Sequence, residues 1–304
     1  GLQDWRAKRG AADLDWGRME ARRQATLFLP QDAAPQELRD CLHEEMAQAL
    51  GPVNDLYRLP DSIFNDDNFN SVLTSFDMLV LKLHYSPELR SGMNEAEVAK
   101  RLPAMLAKYN PAGNYGTATH TEIAPRVWIA EVENTFGPSG NTAKRLAASE
   151  RMLNIARAQG WRDNRLGFSY YAKGRSLATT QPVAAVAALS EAAKVYRTLP
   201  NTQVQLAHVD MQLAAIALAA GQNEQAIAFS SRAIPVVKAA ENGALLATLM
   251  LIKAEALENT GQLAQAKALR LDSQRWARYG FGSDAQVRAR MADIASIGAR
   301  GARG

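Results

Sequence analysis

The chain has 304 residues, with 35 Lys and Arg against 31 Asp and Glu, a formal net charge of +4. That length suits about two domains, and an apolar content of 47% is enough for a sizeable core. No dense basic run alternates with aromatics, which argues against a nucleic-acid partner. No apolar run is long enough to cross a bilayer as a helix, and a single cysteine, Cys41, excludes an internal disulfide framework.

In chain order, residues 1–24 are charged, contain Trp5 and Trp16, and read as a loosely helical lead-in. The chain opens on Gly1, so a targeting signal or lipid-attachment cysteine upstream would lie outside the sequence. "ATLFLP", 25–30, predicts a short strand ended by Pro30. "DAAPQELRDCLHEEMAQALG" predicts a helix, with Pro35 in its first turn, a stop at Gly51–Pro52, and an apolar stripe of Leu38, Leu42, Met46, Ala49 and Leu50. "NDLYRLPDSIFNDDNFN" is a loop rich in Asn, Asp and Pro. "VLTSFDMLVLKLHY" predicts a buried helix, although its β-branched start leaves a strand open, and "NEAEVAKRLPAMLAKY" a further helix. Residues 110–125 are rich in breakers, and "NTFGPSGN" is another turn cluster. The domain boundary is therefore placed around 126–141, read as a linker.

From residue 142 the pattern becomes regular and rich in alanine. "GQNEQAIA" begins at Gly221 and "GQLAQAKA" at Gly261, 40 residues apart. The same step back lands on Gln181, in another helix-turn-helix joint. Units of helix, turn, helix are placed at about 161–200, 201–240 and 241–280. A helix at 143–159 precedes them, and a last helix starts at Ser283, with Gln286 completing a capping box. Each unit alone leaves an apolar face bare, and stacking buries it, which predicts a short helical solenoid. Glycine at the turn, with Ala217, Ala226, Leu257 and Ala266 near the helix crossings, is similar to the small-residue pattern of tetratricopeptide repeats. Arg165, Tyr171, Gln205 and Gln212 are candidate groove residues.

"HEEMAQALGPVND", 43–55, carries the chemical question. It resembles the zinc-binding helix of metzincin peptidases, in which two histidines one turn apart, a glycine and a third histidine hold zinc while a glutamate activates water. Aligned on Gly51, the three ligand positions fall on Glu44, Gln48 and Asn54, and the general-base position on Glu45. Ser62, Ile63 and Phe64 look like the methionine turn, with Phe64 in the methionine's place. His43 lies about 100° round the helix from the first ligand position. "CLHEEMAQALGPVNDLYRLPDSIFNDD", "LTSFDMLVLKLHYSPELRSGM" and "RLPAMLAKYNP" together resemble a bacterial family known as domain of unknown function 2927. This resemblance implies a peptidase-like fold over about 25–112 and frequent export as lipoproteins in proteobacteria. It implies no known reaction.

Taken together, these features predict a mainly α protein in which a reduced zincin-like α+β domain, 25–125, precedes a helical-repeat domain, 142–304. Amide oxygens are weak, neutral ligands for zinc, so Gln48 and Asn54 fit a structural polar network better than a catalytic metal centre. No cofactor is expected, with zinc the ion of the motif's complete form. A hard cation on Glu44, Gln48, Asn54, Asp55 and Asp66 matches no standard calcium loop. Cys41 reads as a small core residue, and His208 as packed within a repeat helix. The expected function is an exported protein-binding scaffold, periplasmic or outer-membrane-associated (with a cytoplasmic setting as the alternative), whose partner is another protein bound through the repeats. The alternative function is a metal-dependent hydrolase using Glu45 as general base.

Overall fold

The computed structural model describes residues 24–52, 56–67, 69–115, 122–138 and 140–301. Among these residues there are twelve α-helices and no strand. They are α1 (Pro35–Ala49), α2 (Ser75–His84), α3 (Glu95–Tyr109), α4 (Arg126–Phe136), α5 (Thr142–Ala158), α6 (Asn164–Leu177), α7 (Pro182–Arg197), α8 (Gln203–Ala219), α9 (Asn223–Ala239), α10 (Gly243–Asn259), α11 (Leu263–Phe281) and α12 (Asp284–Gly301). A 3-10 turn, Pro111–Tyr115, follows α3.

The three predicted units are the hairpins α6–α7, α8–α9 and α10–α11, each closed by packing of its two helices. Gly221 (φ +71°) and Gly261 (φ +78°) supply the left-handed residue at equivalent turns. A second 40-residue echo lies between hairpins, where Asn201 and Glu241 both take φ +56°. Ala226 and Ala266 are buried at the helix crossings, as are Ala217 and Leu257. α8 and α10 are apolar nearly all round, so they form the middle layer. α12 closes the far end by laying Ile294 on Ala214, Leu218 and Leu251, and the predicted capping box at its start is present, with Ser283 N donating to Gln286 Oε1 at 2.8 Å.

Three expectations for the first half do not hold. The strand at 25–30 is irregular chain, so no zincin-like sheet stands in front of α1 among the described residues. The segment read as linker, 126–141, contains α4, whose Trp128 is wholly buried and whose Val132 is nearly so. Its flanking Pro and Gly clusters mark the ends of a short helix. And α2, predicted to be buried, buries only Asp77, leaving Phe76 and Met78 exposed.

α1 begins at Pro35 and stops before Gly51 as predicted, but it is turned over. Its apolar stripe faces outward, with Leu38, Met46 and Leu50 exposed. The face it buries carries Gln36 and Ala47. The reason is what lies opposite: the start of α10, which offers main-chain groups and a cap. Gln36 Nε2 donates to Asn242 Oδ1 (3.0 Å), Gln36 Oε1 accepts from Ala244 N (2.7 Å), and Arg39 donates to Glu241 O (3.1 Å). A polar side chain is the correct partner for a helix start, so here the polar face goes in.

Candidate functional site

α1 places Glu44 and Gln48 one turn apart, both half-buried, while Glu45 is exposed. Asn54 and Asp55 lie outside the described residues. Gly51 takes φ +146°, a conformation that favours glycine, and the imidazole of His84 packs so closely on it that a Cβ there would collide with the ring. The backbone conformation therefore favours glycine at this turn, and a larger residue would also have to displace the exposed His84 ring. His43 is engaged elsewhere: its Nδ1 accepts from Leu73 N at 3.3 Å. Among the described residues no group of three or more His, Cys, Asp or Glu side chains comes close enough to share a metal ion. Burial, then the carboxylates of Glu37, Glu44, Asp40 and Glu45, push the Cys41 thiol up. That is opposite to what activates a nucleophilic cysteine.

The Ser62–Ile63–Phe64 turn is held by a buried carboxylate. Asp77 accepts from Ser62 Oγ (2.5 Å), Ile63 N (2.9 Å) and Thr74 N (2.8 Å), and Thr74 Oγ1 accepts in return from Asp77 N. One residue thus caps α2 and fixes the turn. Phe64 and Ile63 pack with Ala47 of α1, with Leu73 against them. The turn packs on α1 through this small apolar cluster, and the capping box ties it to α2. The signal was legible: "TSFD" before an apolar run is a capping-box pattern.

The same loop also reaches the repeats, while Asn70 Nδ2 and Thr74 Oγ1 hold its Pro60 and Asp61 carbonyls from within the N-terminal segment. Leu56 and Asn65 form an isolated bridge that closes its neck. Tyr57, within that neck, and Phe69, after it, enter the main core cluster together with Trp128, Trp161, Phe168, Tyr171 and Tyr196. Phe69 meets Phe168, Tyr171 and Tyr196 edge-on (5.6, 5.2 and 6.4 Å between centroids) and lies 4.7 Å from His208. Asn164, at the start of α6, donates to Tyr57 O (2.8 Å). Gln205, at the start of α8, donates to Pro60 O (2.6 Å), and Asn201 donates to Asp61 (3.1 Å).

The candidate groove residues are therefore already in use. Gln205 and Tyr171 are buried under this loop, and the Tyr171 hydroxyl pairs with Gln212. Arg165, 1% exposed, bonds Asp163, donates to Glu122 O (2.7 Å) and stacks on Trp161. Burial pushes the Tyr171 and Tyr196 hydroxyls up and the His208 imidazole down to about 3, so His208 is a neutral packing residue, as predicted. Asp67, also buried, accepts from Phe69 N (3.1 Å) and Asn65 Nδ2 (2.7 Å), and desolvation raises it to about 8. Sequence reasoning missed Asp67, Phe69 and Asn164. An aromatic within "NDDNFN" was the available signal, since a loop phenylalanine needs cover.

No curated protein matches this chain, and no solved structure does. Residues 6–104 match the model of a family described as Protein of unknown function (DUF2927), so the family likeness rests on α1, the docked loop, α2 and most of α3, and the helical hairpins lie beyond it.

Proposed function

We propose that this chain is an exported protein-binding scaffold, in which an inactive peptidase-like segment is joined to tetratricopeptide-like repeats that hold the partner. The observation that supports this most directly is the mode of the internal contact. Asn164 and Gln205, at the starts of successive hairpins, grip main-chain carbonyls of an irregular segment, and an aromatic box receives its phenylalanine. Main-chain hydrogen bonds combined with side-chain pockets are one of the recurring ways in which proteins hold peptide segments. In this reading the division into 25–125 and 142–304 is one of origin and role, bridged by α4. Glu44, Gln48 and Asn54 belong to the relic of a metal motif, and a periplasmic or outer-membrane setting follows from the family resemblance. The hydrolase alternative draws no comparable support, since Glu45 stands exposed to solvent.

The test is co-purification of the full chain from its native host, paired with elemental analysis. A protein partner that stays with the full chain, with no stoichiometric metal in the same preparation, is the expected result. Stoichiometric zinc, with peptide cleavage abolished by Glu45→Gln, would overturn the scaffold reading.

A further inference from the structure

The face of α2 opposite its buried Asp77 lines a cleft of about 730 Å³. Met78 and Leu79 supply an apolar floor, and Phe76, like Met78, is exposed beside it. Tyr109 and Asn110, from the end of α3, and Asn201, from the turn before α8, complete the walls. A concave, mostly apolar site of roughly 300–1,000 Å³ with a few placed polar groups is the usual form of a small-ligand pocket.

The lining holds one carboxylate, Asp61, and one cation, Lys82, and they stand at opposite ends. Asp61 is tied to the start of α2, where its main-chain carbonyl accepts from Thr74 Oγ1 (3.0 Å), and its carboxylate accepts from the neutral amide of Asn201 (3.1 Å). Burial and the neighbouring Asp77 raise the Asp61 carboxyl, against the pull of that amide. Lys82 lies towards the far end of the helix, its Nζ 5.2 Å from the centre of the Tyr109 ring. Lys108 shares the ring but is paired with Glu88 at 2.7 Å. Among the described residues no carboxylate pairs with Lys82 in this way, and no cation pairs with Asp61. The two charges are therefore uncompensated, with apolar surface between them.

Their spacing sets the length of an occupant. From Ser75, beside Asp61, to Lys82 the helix rises about 10 Å, which an extended peptide covers in about three residues. From this we infer that the α2 cleft binds a short zwitterionic peptide of about three residues, its ammonium end on Asp61, its carboxylate end on Lys82 and an apolar side chain on Met78 and Leu79. An anionic amphiphile would satisfy Lys82 but lay its tail against Asp61, and a cationic one would do the reverse. The amides of Asn110 and Asn201 stand at the two ends and offer the donor and acceptor groups that a peptide backbone pairs with. The inference goes beyond the scaffold reading and does not rest on it.

The probe is the tripeptide Ala-Leu-Ala in free, N-acetylated, C-amidated and doubly blocked forms, titrated calorimetrically into the full chain. The free form should bind, and each block should weaken it about fivefold, the upper end for one partly exposed ion pair. Lys82→Gln should weaken the free peptide by about the same factor and abolish the difference between the free and amidated forms. Asp61→Asn should abolish the difference between the free and acetylated forms. Lys82 is exposed and Asp61 half-buried, so both variants should melt with wild type. Where either does not, the four peptide forms on the wild-type chain decide the matter alone. No binding of the free peptide at millimolar concentration would overturn the inference, and so would equal affinity for the free and doubly blocked forms. Decanoate bound more tightly than any peptide would overturn it in favour of an amphiphile. A protein partner retained on the full chain alongside those negative results would leave the scaffold reading standing and this one refuted.

Discussion

α2 and α10 are the two most instructive helices to set side by side. Both are dominated by large apolar residues: "SFDMLVLKLH" in one, "GALLATLMLIKAEALEN" in the other. α10 buries eleven of its residues, including Leu246, Leu249 and Ile252. α2 buries one, and it is the charged Asp77. Composition does not account for the difference, and neighbours do. α10 lies between α8, α9, α11 and α12, and it is covered on every side. α2 packs weakly on α3 and has no second layer over it. The N-terminal segment is too thin to build its own core, so its aromatic loop residues, Tyr57 and Phe69, are buried in that of the repeats. A segment can carry a family's sequence pattern and still depend on a neighbour outside the family match for its cover.

Truncating Trp128 is the harshest test of that dependence. Its ring is fully buried and meets Tyr57 edge-on at 5.1 Å, Trp161 at 5.4 Å and Phe168 at 6.4 Å, while Nε1 donates to Ser169 Oγ at 3.1 Å. Trp128→Ala should destabilise the chain by about 3–5 kcal/mol, the range for deleting a large core aromatic. Because Tyr57 rests on that ring, α1, the docked loop and the hairpins should melt together at lower denaturant. Two separated transitions, with the loop signal unmoved, would show that the N-terminal segment stands by itself, and the comparison would fail.

The same contrast explains what the sequence could and could not disclose. The hairpins were legible almost to the residue, because a 40-residue echo of glycine and alanine fixes turns and crossings locally, through backbone freedom and side-chain size. α1 was legible as a helix for the same local reasons, Pro35 at its start and Gly51 at its end. Its orientation was not. A stripe of Leu38, Met46 and Leu50 ordinarily turns inward, and only the presence of Asn242 and Ala244 opposite makes Gln36 the better choice. The docked loop was hidden by sequence distance: Tyr57 meets Asn164, and Pro60 meets Gln205, across more than a hundred residues. That a carboxylate and two amides, Glu44, Gln48 and Asn54, stand where the metzincin resemblance would place imidazoles was plain in the letters. The capping role of Asp77 could have been read from "TSFD", and the burial of Asp67 could not.

Asp67 sharpens the comparison through pH. Its side chain is buried beside Asp66, Asn65 and Tyr196, and desolvation is the main cause of its rise to about 8. In the unfolded chain an aspartate titrates near 4. Between those values the native state holds one more proton than the unfolded state, so stability falls as pH rises through this window. Denaturant unfolding should lose about 1 kcal/mol per pH unit between roughly pH 5 and 7 from this group. Asp67→Asn, which removes the titration while leaving a hydrogen-bonding side chain, should flatten that dependence. A slope unchanged by the substitution would mean that Asp67 is already ionised in the folded chain, with the loop seated less deeply than its contacts indicate.

The smallest effect expected concerns the outward stripe of α1, and a null result there is informative. Met46 is 53% exposed and Leu50 44%, so neither side chain has much contact to lose. Had α1 turned its stripe into a core, Met46→Ser would cost several kcal/mol, as large-to-small changes in packed interiors do. Because the helix instead docks through Gln36 and Arg39, Met46→Ser should change the unfolding free energy by no more than about 0.5 kcal/mol, the ordinary range for surface positions. Gln36→Ala, by contrast, takes away both the donor to Asn242 and the acceptor for Ala244 N, and should cost more than the methionine does, by about 1–2 kcal/mol. The reverse ranking would mean that the apolar stripe faces a core in solution, and that the polar docking of α1 on the start of α10 is wrong.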